Sequence, residues 1–259
     1  MVTHAMAQVM ARAAPVDLVA LTKPRITLLV MLTVAAGYVL GIPVTRGAWG
    51  AREWMLLVHT VLGAGLVASG ASALNQVAER DIDALMRRTA RRPLPAGRLT
   101  VRDATAFGWM LCIVGVTYLS LAVNVTTAIV AAATFGSYLL LYTPLKRRTP
   151  VATIIGVVPG ALPIVGGWSG AGAPLDARVW VLFAMLCLWQ VPHFLALAWM
   201  FREDYGRAGL RMLSVVEPDG DSTFRQSVYT AAALIPISLA PAMLGMSGGV
   251  YFIGAAALS

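Results

Sequence analysis

Apolar stretches of about 20 residues, the length of a helix that crosses a hydrocarbon core, recur along this chain between short polar breaks. They fall at residues 26–43, 54–77, 104–122, 125–143, 152–170, 179–200 and 227–245, and another begins near 249. The pattern predicts an all-α fold, a polytopic transmembrane helix bundle of seven complete spans plus the start of an eighth. Residues 1–259 read as one domain, with 1–15 as a mobile N-terminal arm. Glycine and proline are frequent inside the spans, as in 156–170 with Pro159 and Pro163. Small residues let membrane helices approach closely, and neighbouring helices re-satisfy the backbone that proline releases.

Composition agrees. Only 12% of the residues are charged, about half the share of a soluble domain. The N-terminus lacks the charged start and apolar core of a signal peptide. Cys112 and Cys187 both lie in apolar runs, which argues against a disulfide framework or a cysteine metal site.

Charge then orients the bundle. Of the 20 Lys and Arg, all but Arg46, Arg52 and Arg178 fall in loops on the N-terminal side. The positive-inside rule places that side, with the N-terminus, in the cytoplasm. The net charge of +8 is therefore a topogenic signal, and no nucleic-acid partner is implied. A multi-pass protein of the cell (inner) membrane, in contact with the lipid bilayer, is expected. Of the 12 acidic residues, only Glu53 and Asp176 lie on the other side. Orientation does not require this, because Asp and Glu contribute little to it.

The carboxylates concentrate after the second and sixth spans. On a continued helix Asn75, Glu79 and Asp83, at i, i+4 and i+8, share one face. Such an oxygen-rich stripe suits Mg²⁺, which takes a few carboxylates plus phosphate oxygens and water. Asp81 points elsewhere and is a second-line metal ligand. The competing reading is salt bridging, with Asp83 and Arg87 an i, i+4 pair. The run from Arg87 through Arg92 to Arg98 supplies guanidinium forks that match phosphate, although topogenic charge alone accounts for many of them. After the fourth span, Tyr142-Thr-Pro-Leu-Lys146-Arg147-Arg148-Thr-Pro150 projects cations toward the same vestibule. Inside the sixth, Trp189-Gln190-Val-Pro192-His193-Phe194 is kinked by its proline. Polar groups at that depth are functional more often than idle; His193 reads as a base, a haem contact or the partner of a buried polar group. Glu203, Asp204 and Arg207 follow that span and form a second acidic cluster, whereas Glu217, Asp219 and Asp221 read as a solvated loop. Acidic clusters, arginines and an apolar bundle together describe a diphosphate held by Mg²⁺ at the boundary, with a polyisoprenyl tail in the membrane. The chemistry is ionisation of the diphosphate, with the cation protected from water.

Asn75-x3-Glu79-x-Asp81-x-Asp83, followed by Arg-Arg-Thr-x-x-Arg-Pro-Leu-Pro-x-Gly-Arg, resembles the first Asp-rich motif of the UbiA-type intramembrane prenyltransferases. Gln76 and Glu79 resemble the haem-farnesylating branch of that superfamily. Leu21-Thr-Lys-Pro-Arg25, Tyr142 to Pro150, Trp189 to Phe194 and Asp204-Tyr-x-x-Ala-x-x-x-Met-Leu213 agree, and the likeness runs from about residue 18 to the end. The resemblance implies farnesyl diphosphate as donor and haem b as acceptor, with Mg²⁺ as cofactor. The farnesyl group joins a haem vinyl group and water adds, giving haem O. It also implies that Asn75, Glu79 and Asp83 bind Mg²⁺–diphosphate, with Tyr142 and Lys146 beside it and Lys23, Arg25, Arg147 and Arg148 as helpers. The next haem-modifying enzyme, heme A synthase, is an implied partner. The family's second motif has two Asp three residues apart. Here Asp204 remains with Glu203 beside it, and Arg207 stands in for part of a second metal's charge. The family also has nine spans, so this chain is expected to stop short of the full bundle. Two other readings compete, a quinone-type aromatic prenyltransferase of the same superfamily and a transporter or anionic-lipid binding protein. The second predicts midplane charges and duplicated halves, and neither is seen.

Overall fold

The computed structural model describes residues 14–42 and 49–258, and no strand occurs among them. Most of the N-terminal arm, together with Arg12 and Arg46, lies outside the described residues. The elements are α1 (Pro15–Leu21), α2 (Pro24–Gly41), α3 (Ala51–Ala78), α4 (Arg80–Leu85) and α5 (Val101–Ala122). Helix α6 runs Val125–Gly136 and continues through a π-helical turn, Ser137–Tyr142, into Thr143–Leu145. Then come α7 (Ala152–Gly170), α8 (Ala177–Met200), α9 (Arg202–Arg207), α10 (Leu213–Val216), α11 (Asp221–Met243) and α12 (Gly249–Leu258).

Local chemistry sets the ends. Pro24 stands at the first position of α2, where its missing N–H costs nothing, so the span starts two residues before its apolar run. Thr100, Asn124 and Asp176 cap α5, α6 and α8 by accepting from backbone N–H groups. Six helices are long and apolar enough to cross a bilayer: α2, α3, α5, α6, α7 and α8. The expected seventh span, α11, has 23 residues, but its first turns carry Asp221, Arg225 and Gln226. By length and apolar composition six of the described helices qualify as spans, and α11 falls just outside that set.

Helix α7 sits at the centre, with 72% of its apolar stretch buried against 22–39% for the other five spans. Its glycines allow this. A methyl group at Gly167 would lie 1.9 Å from the Val34 carbonyl oxygen, and one at Gly37 would lie 2.2 Å from that of Ile164. Backbones of α2 and α7 thus meet without intervening side chains. Gly70 and Gly108 give α3 and α5 the same close approach.

The charged end is closed by its own loops. Leu18 and Leu21 of α1 pack on Ala73, Leu94, Leu99 and Ala104, and Arg98 Nε donates to Asp17 Oδ1 at 2.9 Å. Ile82 and Met86 pack on Ala198, Ala208, Leu210 and Met212. The Arg211 N–H donates to the Lys146 carbonyl at 3.0 Å. The loops after α3, α6 and α8 therefore form one lid-like layer over the bundle.

Candidate active site

Three chain segments bring the polar groups of the charged end together. The first is the corner between α1 and α2. Gln76 Nε2 of α3 donates to the Leu21 carbonyl at 2.8 Å and fixes that corner. Lys23 follows in the left-handed region, at φ 48°, the only described non-glycine residue with positive φ. That conformation costs about 1–2 kcal/mol for an L-residue. It directs Nζ to Asn75 Oδ1 at 2.9 Å.

The second segment is the end of α3. The helix stops at Ala78, and Glu79 takes φ −103° and ψ 6°, so the stripe expected on one continuous helix is bent at Glu79. The hydrogen bonds nearly continue across the bend, from the Glu79 N–H to the Asn75 carbonyl at 2.9 Å and from the Asp83 N–H to the Glu79 carbonyl at 2.8 Å. Asn75, Glu79 and Asp83 are all buried. Asp83 pairs with Arg92, not Arg87: Arg92 Nη1 donates to Oδ2 at 2.6 Å, while Arg87 is exposed. The chain reverses through the turns at 86–99, and this brings Arg92 back over α4.

The third segment is the π-helical turn of α6. On a straight α-helix, residues four apart drift around the axis. The wider π turn slows that drift and holds Tyr138, Tyr142 and Lys146 along one wall, with the two tyrosine rings 5.8 Å apart. Lys146 Nζ donates to Glu79 Oε1 at 2.8 Å and lies 4.4 Å from the Tyr142 ring centroid. Asn75 Nδ2 donates to Thr143 Oγ1 at 3.2 Å, and that hydroxyl donates to the Tyr138 carbonyl at 2.9 Å.

These groups stand at the polar mouth of a cavity of about 420 Å³. Each wall is one helical stripe. Helix α3 gives Thr60, Ala64, Ala68, Ala71 and Asn75, and α7 gives Gly156, Pro159, Gly160, Pro163 and Gly166. Small residues on two facing helices leave the space open. From Asn75 to Thr60, both lining the cavity, is about 22 Å along α3 at 1.5 Å per residue. The cavity therefore reaches most of the way through the apolar layer.

Burial pulls the Glu79 carboxyl upward, but the Lys146 ammonium outweighs it, and Glu79 titrates below the usual carboxylate range. Burial acts against the Lys146 ammonium in turn. Tyr142 and Glu79 overcome it, so Lys146 stays protonated well above the ordinary lysine value. Lys23 behaves differently. Burial, reinforced by Arg92, lowers it to about 7, with Glu79 opposing only in part.

Among the described residues no three His, Cys, Asp or Glu side chains gather to hold a metal alone. The donors present are two carboxylates and an amide oxygen. Asp83 Oδ1 is buried without a partner, a costly arrangement unless something binds it. This set fits Mg²⁺, which is completed by substrate phosphate and water.

Other expected site residues fall elsewhere. Asp81 is exposed and ion-paired with its neighbour Arg80, so it turns away from the metal set. Asp204 pairs with Arg207. Neither lines the cavity, nor does exposed Glu203. Asp204 is thus neutralised locally, and the second acidic cluster stands outside the cavity wall. Arg25, Arg147 and Arg148 are exposed and outside the cavity wall, and Arg147 Nη2 reaches only the Ala78 carbonyl, at 3.4 Å. Trp189 and His193 stack on each other at 5.3 Å on the outer face of α8. Helical period explains this, because Gln190 and Phe194 take the inward positions. Sequence reasoning missed Tyr138 and Thr143, and it read Arg88 only as one member of the arginine run. Tyr138 and Arg88 line the cavity. The one available signal was the four-residue spacing of Tyr138, Tyr142 and Lys146.

Comparison with known proteins places this geometry. Residues 29–259 match the UbiA prenyltransferase family. The protoheme IX farnesyltransferase of Solibacter usitatus (strain Ellin6076) is 50% identical over 248 residues, covering 92% of this chain and 83% of the relative. That of Koribacter versatilis (strain Ellin345) is 44% identical over 238 residues, covering 92% and 76%. Among solved structures, a UbiA homolog from Archaeoglobus fulgidus bound to GPP and Mg²⁺ superposes with a TM-score of 0.74 at 18% identity, over 92% of this chain and 82% of that one. A UbiA homolog from Aeropyrum pernix K1 superposes with a TM-score of 0.69 at 21% identity, over 90% and 84%. At such identities these structures share the fold with this chain.

Proposed function

Because this chain belongs to the UbiA prenyltransferase family, we propose that it transfers the farnesyl group of farnesyl diphosphate to a vinyl group of haem b, giving haem O. One observation carries the reading: the Lys146–Glu79 pair and the Asp83–Arg92 pair stand together at the mouth of one deep apolar cavity. A polyprenyl diphosphate has the matching shape, with an anionic head and a long apolar tail. The relatives named protoheme IX farnesyltransferase supply the identity of donor and acceptor.

Asn75, Glu79 and Asp83 would hold Mg²⁺ on the diphosphate. When bound, the ion stabilises charge on the departing group. Lys146, protonated throughout the neutral range, and Lys23 and Arg92 add positive charge at the same end. Below them Ala64, Ala68, Val130 and Phe135 line the cavity and exclude water from the allylic cation. The basic end faces the cytoplasm by the positive-inside rule, and the bundle sits in the inner membrane. The N-terminus and the site then share that side.

The test is direct. The purified protein in detergent is incubated with haem b, farnesyl diphosphate and Mg²⁺, and the pigment is analysed by mass. A farnesylated, hydrated haem is expected. No haem adduct, together with an adduct on 4-hydroxybenzoate, would move the chain to the aromatic branch of the family.

A further inference from the structure

The site described so far leaves one buried amide unused. Gly160 lines the cavity, and a methyl group on it would lie 1.9 Å from Gln190 Oε1. The carboxamide of Gln190 therefore fills the notch that the missing side chain leaves. Gln190 is only 6% exposed. Its Nε2 donates to the Leu186 carbonyl at 3.0 Å, and its Oε1 accepts no hydrogen bond among the described residues. Pro159 and Pro163 line the same wall. Neither has an N–H, so the carbonyls of Ile155 and Pro159 lose their usual helical donors. An acceptor oxygen without a donor at membrane depth, as Gln190 Oε1 is, is costly unless something donates to it. Water is the smallest molecule that can, and a buried water typically needs two to four polar partners.

The depth of this notch matters. A methyl group at Gly156 would lie 2.5 Å from Tyr142 Cε2, and the Tyr142 ring carries the Lys146 ammonium. Gly160 is one turn further in, about 6 Å at 1.5 Å per residue. It marks the layer just beneath the diphosphate end, where the first carbon of a prenyl chain would meet its acceptor.

We propose that Gln190, its carboxamide seated in the Gly160 notch, positions the water that completes the reaction. The assignment rests on the farnesyl-transfer reading. In that reaction C1 of the farnesyl group parts from diphosphate and bonds to the terminal carbon of the haem vinyl group. The vinyl π pair makes the new bond and leaves a cation on the carbon attached to the macrocycle. If water is held there, its oxygen forms the C–O bond and its proton passes to the departed diphosphate. The products are a secondary alcohol and hydrogen diphosphate. If water is absent, the neighbouring carbon gives its proton to the diphosphate, and the product is an alkene lighter by one water. Gln190 is thus a positioning residue: its oxygen accepts from the water and turns the water's lone pair toward the cavity.

The test reads the ratio of alcohol to alkene by mass, using the whole chain with haem b, farnesyl diphosphate and Mg²⁺. Gln190→Leu removes the acceptor. Gly160→Ala keeps the glutamine in the chain but fills its notch, so the methyl group drives the carboxamide aside. Both should lower the ratio by about tenfold, the effect of roughly one lost hydrogen bond. Gln190→Glu keeps an acceptor oxygen and should retain the alcohol. An unchanged ratio in both variants overturns the assignment. So does loss of all product in variants that still bind the diphosphate, because Gln190 would then act on the transfer itself. Failure of the unsubstituted chain to farnesylate haem overturns the underlying reading instead.

Discussion

Lys146 Nζ lies 2.8 Å from Glu79 Oε1, joining the ends of α6 and α3 across 67 residues of chain. Both side chains are largely withdrawn from solvent, at 15% and 8% exposure. Such a pair contributes little net stability, because desolvation offsets attraction, but removing one partner is costly. Lys146→Met should therefore destabilise the protein by about 3–5 kcal/mol and abolish turnover. Adding Glu79→Gln should restore thermal stability without restoring activity. A melting curve in detergent beside a product assay separates the two effects. Recovery of turnover in the double variant would remove the pair from catalysis.

Asp83 has one oxygen on Arg92 and the other without a partner. Asp83→Ala should cut activity by about 10²–10³-fold, the scale of losing an electrostatic stabiliser in a dry site, while the helical content stays the same. Asp83→Asn keeps the shape and should lose Mg²⁺ dependence as well. Full activity in either variant would sink the metal role of this residue.

The bundle was legible because membrane spans are written in apolar length, and all six of these spans lie within three residues of their expected limits at both ends. Asn75, Glu79 and Asp83 were legible because their spacing nearly survives the bend at Glu79. Arg92 was visible only as one cation among many, because its partner is chosen by the turns at 86–99 and not by helical period. The outward placement of Trp189 and His193 was missed for the opposite reason. Their chemistry drew attention, yet their register relative to Gln190 and Phe194 decides which face they occupy. The left-handed Lys23 and the π turn left no trace in composition at all.

Lys23 titrates near 7 in the free protein. Above that pH the site holds a neutral amine, and below it an ammonium. An anionic diphosphate binds the ammonium form better, so binding above about pH 7 takes up a proton. Affinity for inorganic diphosphate should therefore rise as pH falls toward that value and then level. Calorimetry in two buffers of different ionisation enthalpy counts the proton. Lys23→Arg, charged throughout, should abolish that share, and an equal proton count in both proteins would exclude Lys23 as its source. For folding alone, the unfolded chain holds the extra proton between about 7 and the ordinary lysine value of 10.5. Stability without ligand should rise with pH in that window.

Gly167→Ala tests the central crossing. Its methyl group would strike the Val34 carbonyl at 1.9 Å and the Tyr38 amide at 2.7 Å, and backbone cannot yield as a side chain can. The expected loss is about 1–3 kcal/mol, as for other overpacked sites, read as a lower melting temperature. Gly136→Ala, where a methyl group meets nothing within 4 Å, should leave melting almost unchanged.

The π-helical turn Ser137–Tyr142 amounts to one residue more than an α-helix needs over the same rise. The turn has already absorbed that residue; one more inserted after Tyr142 would find no slack and would rotate everything after it by about 100°. Lys146 would swing away from Glu79, although every other side chain and the charge of the span stayed as they are. The reach of this cation is set by a residue count. Segment length, as much as side-chain identity, is what a redesigned or recombined version of this helix would have to preserve.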